Sequence, residues 1–108
     1  MAETPRLNGV IRALEQGQRA FGAFTNAEID LALTFSTSAY DGVIFEMEHN
    51  PWDVKALRDC FQYMLNRRQI VDGGSIAPPV TPLVRIPPNG SEKNQWLAKQ
   101  ALEISSCR

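Results

Sequence analysis

Histidine is nearly absent from this chain, and cysteine is scarce. Its 108 residues include one histidine, His49, and two cysteines, Cys60 and Cys107, with no CxxC pair. That excludes a disulfide scaffold and a zinc module of paired thiolates. Neither sign of charge dominates. Eleven Lys+Arg against 12 Asp+Glu leave a formal net charge of −1, which gives no electrostatic footprint for nucleic acid or an anionic membrane surface. No stretch approaches the roughly 18 uninterrupted apolar residues of a transmembrane helix. The opening MAETPRLNGVIRALEQ lacks the basic-then-apolar order of a secretory signal. What remains is one cytoplasmic domain of ordinary globular composition, 44% hydrophobic and 21% charged.

Periodicity organises the chain into a helix and three strand–helix units. Leu7, Val10, Ile11 and Leu14 recur at i, i+3, i+4 and i+7, predicting a helix over 5–16 with Thr4-Pro5 at its start and Gly17 at its stop. The units follow at about 19–39, 42–70 and 81–105. In the first, the run Ala20 to Phe24 reads as a strand, and Thr25-Asn26 cap a helix bearing Ile29, Ala32, Leu33 and Phe35 that runs on towards Ala39. In the second, Val43 to Glu48 is a strand whose first half is apolar on both faces, as a strand buried under helices should be. Asp53 opens its helix, with Val54, Leu57, Phe61, Met64 and Leu65 on one face. Val71 to Pro79 reads as a loop, Leu83 to Ile86 as the third strand, and Ser91 as the cap of a last helix with Leu97, Ala101 and Ile104. Asn89-Gly90 is not a hairpin signal here, because two prolines precede it and no strand follows.

Alternating strands and helices imply a parallel α/β sheet. Three strands leave two edges open and helix faces uncovered, and a complete (β/α)8 barrel takes about 250 residues. The 108 residues therefore read as the N-terminal part of a larger α/β domain.

Chemistry concentrates in Phe45-Glu46-Met47-Glu48-His49-Asn50-Pro51. Residues two apart on a strand share a face, so Glu46 and Glu48 point the same way at the strand's C-terminal end, where parallel α/β folds hold ligands. His49 follows, and imidazole is the side chain that ordinarily titrates near neutrality. A lone histidine after a strand usually serves structure; it is the two glutamates beside it that give catalysis equal weight. Arg85, set between Val84 and Ile86, needs an anionic partner. That partner is either Glu46 or Glu48 on the neighbouring strand or a substrate carboxylate held bidentately, and spacing alone favours neither. Asn89-Gly90-Ser91 offers a common kind of anion-binding turn. Trp52, Trp96 and Cys60 read as packing residues, and Cys107 as exposed.

Gly22-Ala23-Phe24, Ala27-Glu28, Tyr40 through Pro51, and Val84-Arg85-Ile86-Pro87 together resemble the metal-dependent 2-oxo-acid aldolases, the HpcH/HpaI aldolase and citrate lyase β-subunit family. The resemblance implies the N-terminal portion of a (β/α)8 (TIM) barrel, and a carbon–carbon lyase that reversibly cleaves an aldol to pyruvate and an aldehyde. It implies His49 in proton transfer, with Glu46 in support where the family usually carries aspartate. Arg85 would contact the oxo-acid oxygens, and Phe24 would line the substrate pocket where many members carry tryptophan. Glu48 would stand near the water shell of a divalent metal, Mg2+ or Mn2+. The metal's own ligands come from later strands in the family, so the resemblance implies no metal ligand in this chain and no aldol turnover by these 108 residues alone. A homo-oligomer is implied for the full-length enzyme.

Two rivals remain. One is a small non-catalytic α/β interaction module, or a self-associating half-barrel that pairs its open edges. The other is citrate-lyase-like cleavage of an acyl-CoA, disfavoured because no basic cluster suits CoA phosphates.

Overall fold

The computed structural model describes residues 6–88 and 95–106. Thr4, Pro5, the Asn89-Gly90-Ser91 turn and Cys107 lie outside them. The elements run α1 (Gly9–Glu15), β1 (Gly22–Thr25), α2 (Ile29–Ser36), β2 (Gly42–Glu46), α3 (Val54–Met64), α4 (Arg67–Gly73), β3 (Thr81–Arg85) and α5 (Gln95–Ser106). The strands form one parallel sheet in the order β1-β2-β3. The expected α/β class is therefore present, as a three-stranded parallel sheet with helices between its strands. Among the described residues no helix is long and apolar enough to cross a membrane.

Alternation along β2 decides which face is covered. Val43 and Phe45 are fully buried and join Ala32 of α2 and Leu57, Cys60, Phe61 and Met64 of α3 in one core, with Ile104 of α5 packed against it. Phe45 and Phe61 meet edge to face at 5.7 Å, a favourable aromatic geometry. Ile44 and Glu46 point to the opposite face. The register aligns Phe24, Ile44 and Leu83 across the three strands, and Glu46 with Arg85 one row nearer the C-terminal ends. At the N-terminal end α1 closes over that face, with Gly9 N–H donating to Thr81 Oγ1 at 2.7 Å. Helices thus cover one face over its central strand, leaving Ala23, Pro82 and Val84 of the flanking strands half-buried, and the other face only at its base.

Several expected boundaries move. The first helix begins at Gly9 rather than residue 5, capped by Asn8, whose Oδ1 accepts from Val10 N–H (2.9 Å) and Ile11 N–H (3.2 Å). Its expected apolar stripe is also turned: Leu7, Ile11 and Leu14 are exposed, and Gly9 and Ala13 are buried instead. The cause is close approach, since a Cβ on Gly9 would stand 3.1 Å from the Asp41 carbonyl oxygen. β1 starts at Gly22, not Ala20. Phe21 instead holds the strand entrance, its carbonyl accepting from Asp41 and Gly42 N–H and its N–H donating to Asp41 Oδ2.

Thr25-Asn26 does not cap α2. Thr25 ends β1, and the residue before the helix, Glu28, makes no side-chain cap bond; α2 stops at Ser36, short of Ala39. β2 stops at Glu46, although Met47 N–H still donates to the Arg85 carbonyl at 3.0 Å. Asp53 caps α3 as its sequence suggests, Oδ1 accepting from Ala56 N–H at 3.0 Å. The helix expected to reach residue 70 breaks at Leu65. Asn66 then caps α4 through Gln69 N–H, so Val71 to Gly73 are helical rather than loop.

β3 begins two residues early, at Thr81, and takes Pro82 into the strand. Thr81 N–H donates to Asp41, and the Arg85 carbonyl accepts from Met47. Strand alternation then turns Pro82 to the open edge, where its missing N–H breaks no ladder bond. Trp52 packs as expected and its Nε1–H donates to Gln100 Oε1 of α5 at 3.1 Å. Trp96 does not, being 69% exposed.

Candidate functional site at the strand ends

Four of the five residues singled out from sequence meet at the C-terminal ends of β2 and β3, and the fifth, Phe24, reaches them from β1. Register brings Glu46 opposite Arg85. Arg85 Nη1 lies 2.9 Å from Glu46 Oε2, and Arg85 Nε lies 2.6 Å from Glu48 Oε2. One guanidinium therefore bridges both carboxylates, whose side chains are only about 15% exposed while that of Arg85 is 43% exposed. Of the two anionic partners open to Arg85, the structure supplies the protein's own. The Phe24 ring lies 5.7 Å from the guanidinium carbon, a cation–π contact of about 0.5–1 kcal/mol at an exposed site.

Glu46 also organises the backbone that follows it. Its Oε1 accepts from Glu48 N–H at 2.7 Å and from His49 N–H at 3.2 Å. Desolvation pushes the Glu46 carboxyl up, but the two backbone donors and the Arg85 guanidinium outweigh it and hold the group below its ordinary value of 4.5. The support given to His49 thus runs through its backbone and not its ring. The carboxylate nearest the ring belongs to Glu48, with Oε2 3.6 Å from His49 Nε2. The imidazole itself is open to solvent, its side chain 69% exposed.

Two asparagines complete the rim: Asn26, expected only as a helix cap, and Asn50, part of the sequence motif without a role of its own. Asn50 Nδ2–H donates to Asn26 Oδ1 at 2.8 Å and to the Glu46 carbonyl at 3.0 Å, joining the loop after β1 to the loop after β2. The only hint in sequence is an amide residue just past each strand. Below this clip lies a cavity of about 270 Å3 lined by Asn26, Glu28, Glu46, Asn50 and Asp53 among others.

These residues do not fit a metal centre by themselves. Glu46 commits both oxygens to N–H donors, and Glu48 Oε2 already faces a guanidinium. Among the described residues no group of three or more His, Cys, Asp and Glu could hold a metal ion. What the cluster can do is hold an anion at Arg85, once a glutamate gives way, and exchange a proton at His49. No protein-family model, curated protein or solved structure matches the chain.

Proposed function

We propose that this rim belongs to a carbon–carbon lyase of the 2-oxo-acid aldolase type, built on the N-terminal part of a (β/α)8 barrel wall. One observation carries the reading: a histidine, two glutamates and an arginine converge at the C-terminal ends of adjacent parallel strands, the end at which such barrels place their chemistry. Strands in chain order with the interstrand helices packed on one face suit a barrel wall, whereas a doubly wound sheet carries helices on both faces.

Aldol cleavage needs an anchor for the carboxylate of the 2-oxo acid and a base for the substrate hydroxyl. Arg85 is the anchor, since its planar fork can take a carboxylate through two parallel bonds. His49 Nε2 takes the hydroxyl proton, and the Glu48 carboxylate beside it offsets the imidazolium charge. The carbon–carbon bond then breaks, releasing the aldehyde and leaving the enolate of the 2-oxo acid. The imidazolium returns its proton to the enolate carbon. In the aldolases that the sequence resembles, a divalent metal supplies Lewis-acid chemistry; the residues described here make no site for it, and no step above runs through it.

Calorimetric titration with pyruvate tests the reading. Wild-type chain should bind pyruvate, and Arg85→Lys should weaken that binding at least about tenfold, because an ammonium cannot reproduce the bidentate geometry. Equal binding by both proteins would remove Arg85 from the site.

A second reading, a non-catalytic module that assembles through its sheet edges, is favoured by one separate observation. Phe21 and Phe24 are exposed at the β1 edge, an unusual placement for large apolar side chains beside an open strand. Light scattering across a concentration series distinguishes it. Assembly that Phe21→Ser and Phe24→Ser abolish would support the module.

A further inference from the structure

Glu48 Oε2 stands between a guanidinium and an imidazole: Arg85 Nε at 2.6 Å and His49 Nε2 at 3.6 Å. We infer that Glu48 is an exchangeable partner of Arg85: protonation of His49 draws the Glu48 carboxylate off the guanidinium, a 2-oxo acid takes the vacated face, and the exposed ring returns that proton to solvent before Nε2 accepts one from the substrate hydroxyl. The inference rests on the reading above that Arg85 anchors a carboxylate, and adds how that anchor is released.

The charges at the rim require such a release. With a neutral imidazole, two carboxylates share one guanidinium, and the cluster carries one negative charge in excess. An approaching carboxylate is repelled and finds Nε occupied. Proton uptake by His49 cancels the excess and gives Glu48 a second cation. Further acids near the rim are Glu46 from β2, which stays on Nη1, and Glu28 and Asp53 at the starts of α2 and α3, which line a cavity together with Glu46 and Asn50. All three are acids, so they favour the imidazolium and disfavour a bound anion. The geometry permits the exchange. His49 is largely exposed, whereas Glu46 is fixed by two backbone donors and leaves Glu48 as the carboxylate with fewer ties.

Pyruvate binding followed by calorimetry between pH 8.5 and 5.5, where exposed carboxylates stay ionised, tests it. In wild type the affinity should rise about tenfold on lowering the pH. Heats compared in buffers of different ionisation enthalpy should show close to one proton taken up at the high-pH end. Glu48→Gln should bind at pH 8.5 about as tightly as wild type does at pH 5.5, with a flattened profile. His49→Gln should keep the weak high-pH affinity throughout. Binding that depends on Arg85 but is level with pH in wild type, or is weakened by Glu48→Gln, would overturn the exchange and leave the anchor standing. No pyruvate binding by wild type or Glu48→Gln at either pH would overturn both.

Discussion

Glu46 and Arg85 occupy matched positions on neighbouring parallel strands, and Arg85 Nη1 meets Glu46 Oε2 at 2.9 Å on the face that the interstrand helices leave uncovered. The pairing ties the end of β2 to the end of β3, and Glu46 extends it into the next loop through the N–H groups of Glu48 and His49. Stability and site geometry therefore share one carboxylate.

That sharing sets a pH dependence. Glu46 in the folded chain is held below its ordinary value of 4.5, so the unfolded chain binds its proton first as pH falls. Stability from this group is fully present above about pH 5, and is lost as the pH drops through the ordinary value and on through the folded one. Urea midpoints for wild type and Glu46→Gln between pH 3 and 7 should differ at neutral pH and converge in acid. A constant difference would show that Glu46 ionisation contributes nothing.

Gly42 is a packing requirement and not a turn. A Cβ there would lie 2.8 Å from Val10 Cγ2, 3.3 Å from Leu83 Cδ1 and 3.3 Å from the Thr81 carbonyl oxygen. Gly42→Ala should cost about 1–3 kcal/mol by overpacking. Val10→Ala in the same chain should recover part of that loss, which a double-mutant cycle measures. Full additivity would mean that α1 does not rest on β2 as described.

An aromatic pair joins α3 to β2 in the core. Phe61 is buried against Phe45 between α3 and β2, and Phe61→Ala should destabilise by about 3–5 kcal/mol through lost burial and the residual cavity. For a domain of this size such a loss threatens folding itself, so Phe61→Leu offers a graded second point. A loss below about 1 kcal/mol for the alanine variant would contradict the core assignment.

Cys60 should be chemically silent. Burial pushes its thiol up to about 11, with Asp59, Glu28 and Asp30 adding to the shift. In a Cys107→Ser background, a thiol reagent at pH 8 should modify Cys60 only as fast as the core opens, and denaturant should accelerate it sharply. Prompt labelling of the native protein would place the thiol elsewhere.

What could be read from sequence was what local chemistry decides. Asp53 caps α3 because an acceptor one residue before an amphipathic run satisfies the helix's free N–H groups. Glu46 and Arg85 could be brought together because strand alternation fixes faces and parallel pairing fixes ends; Glu48 lies past the end of β2 and reaches the same guanidinium from the loop. What escaped depends on partners distant in the chain. Gly9 must approach Asp41 and Thr81, and that contact turns α1 so that Ile11 and Leu14 face solvent despite their helical spacing. Pro82, just before the strand expected at Leu83, joins it because its side of β3 is an open edge, which only the pairing partners determine. Asn26 and Asn50 clasp across 24 residues, a link no periodicity announces.

The central claim is that a 2-oxo acid is held by Arg85 beside His49. Nitrogen-15 and proton NMR of the chain titrated with pyruvate at pH 5.5 tests it most directly, because His49 is the sole histidine and its ring signals need no assignment by elimination. The Arg85 Nε–H and the His49 ring signals should move together and saturate with one affinity. Shifts confined to other residues, or none at saturating pyruvate, would contradict it.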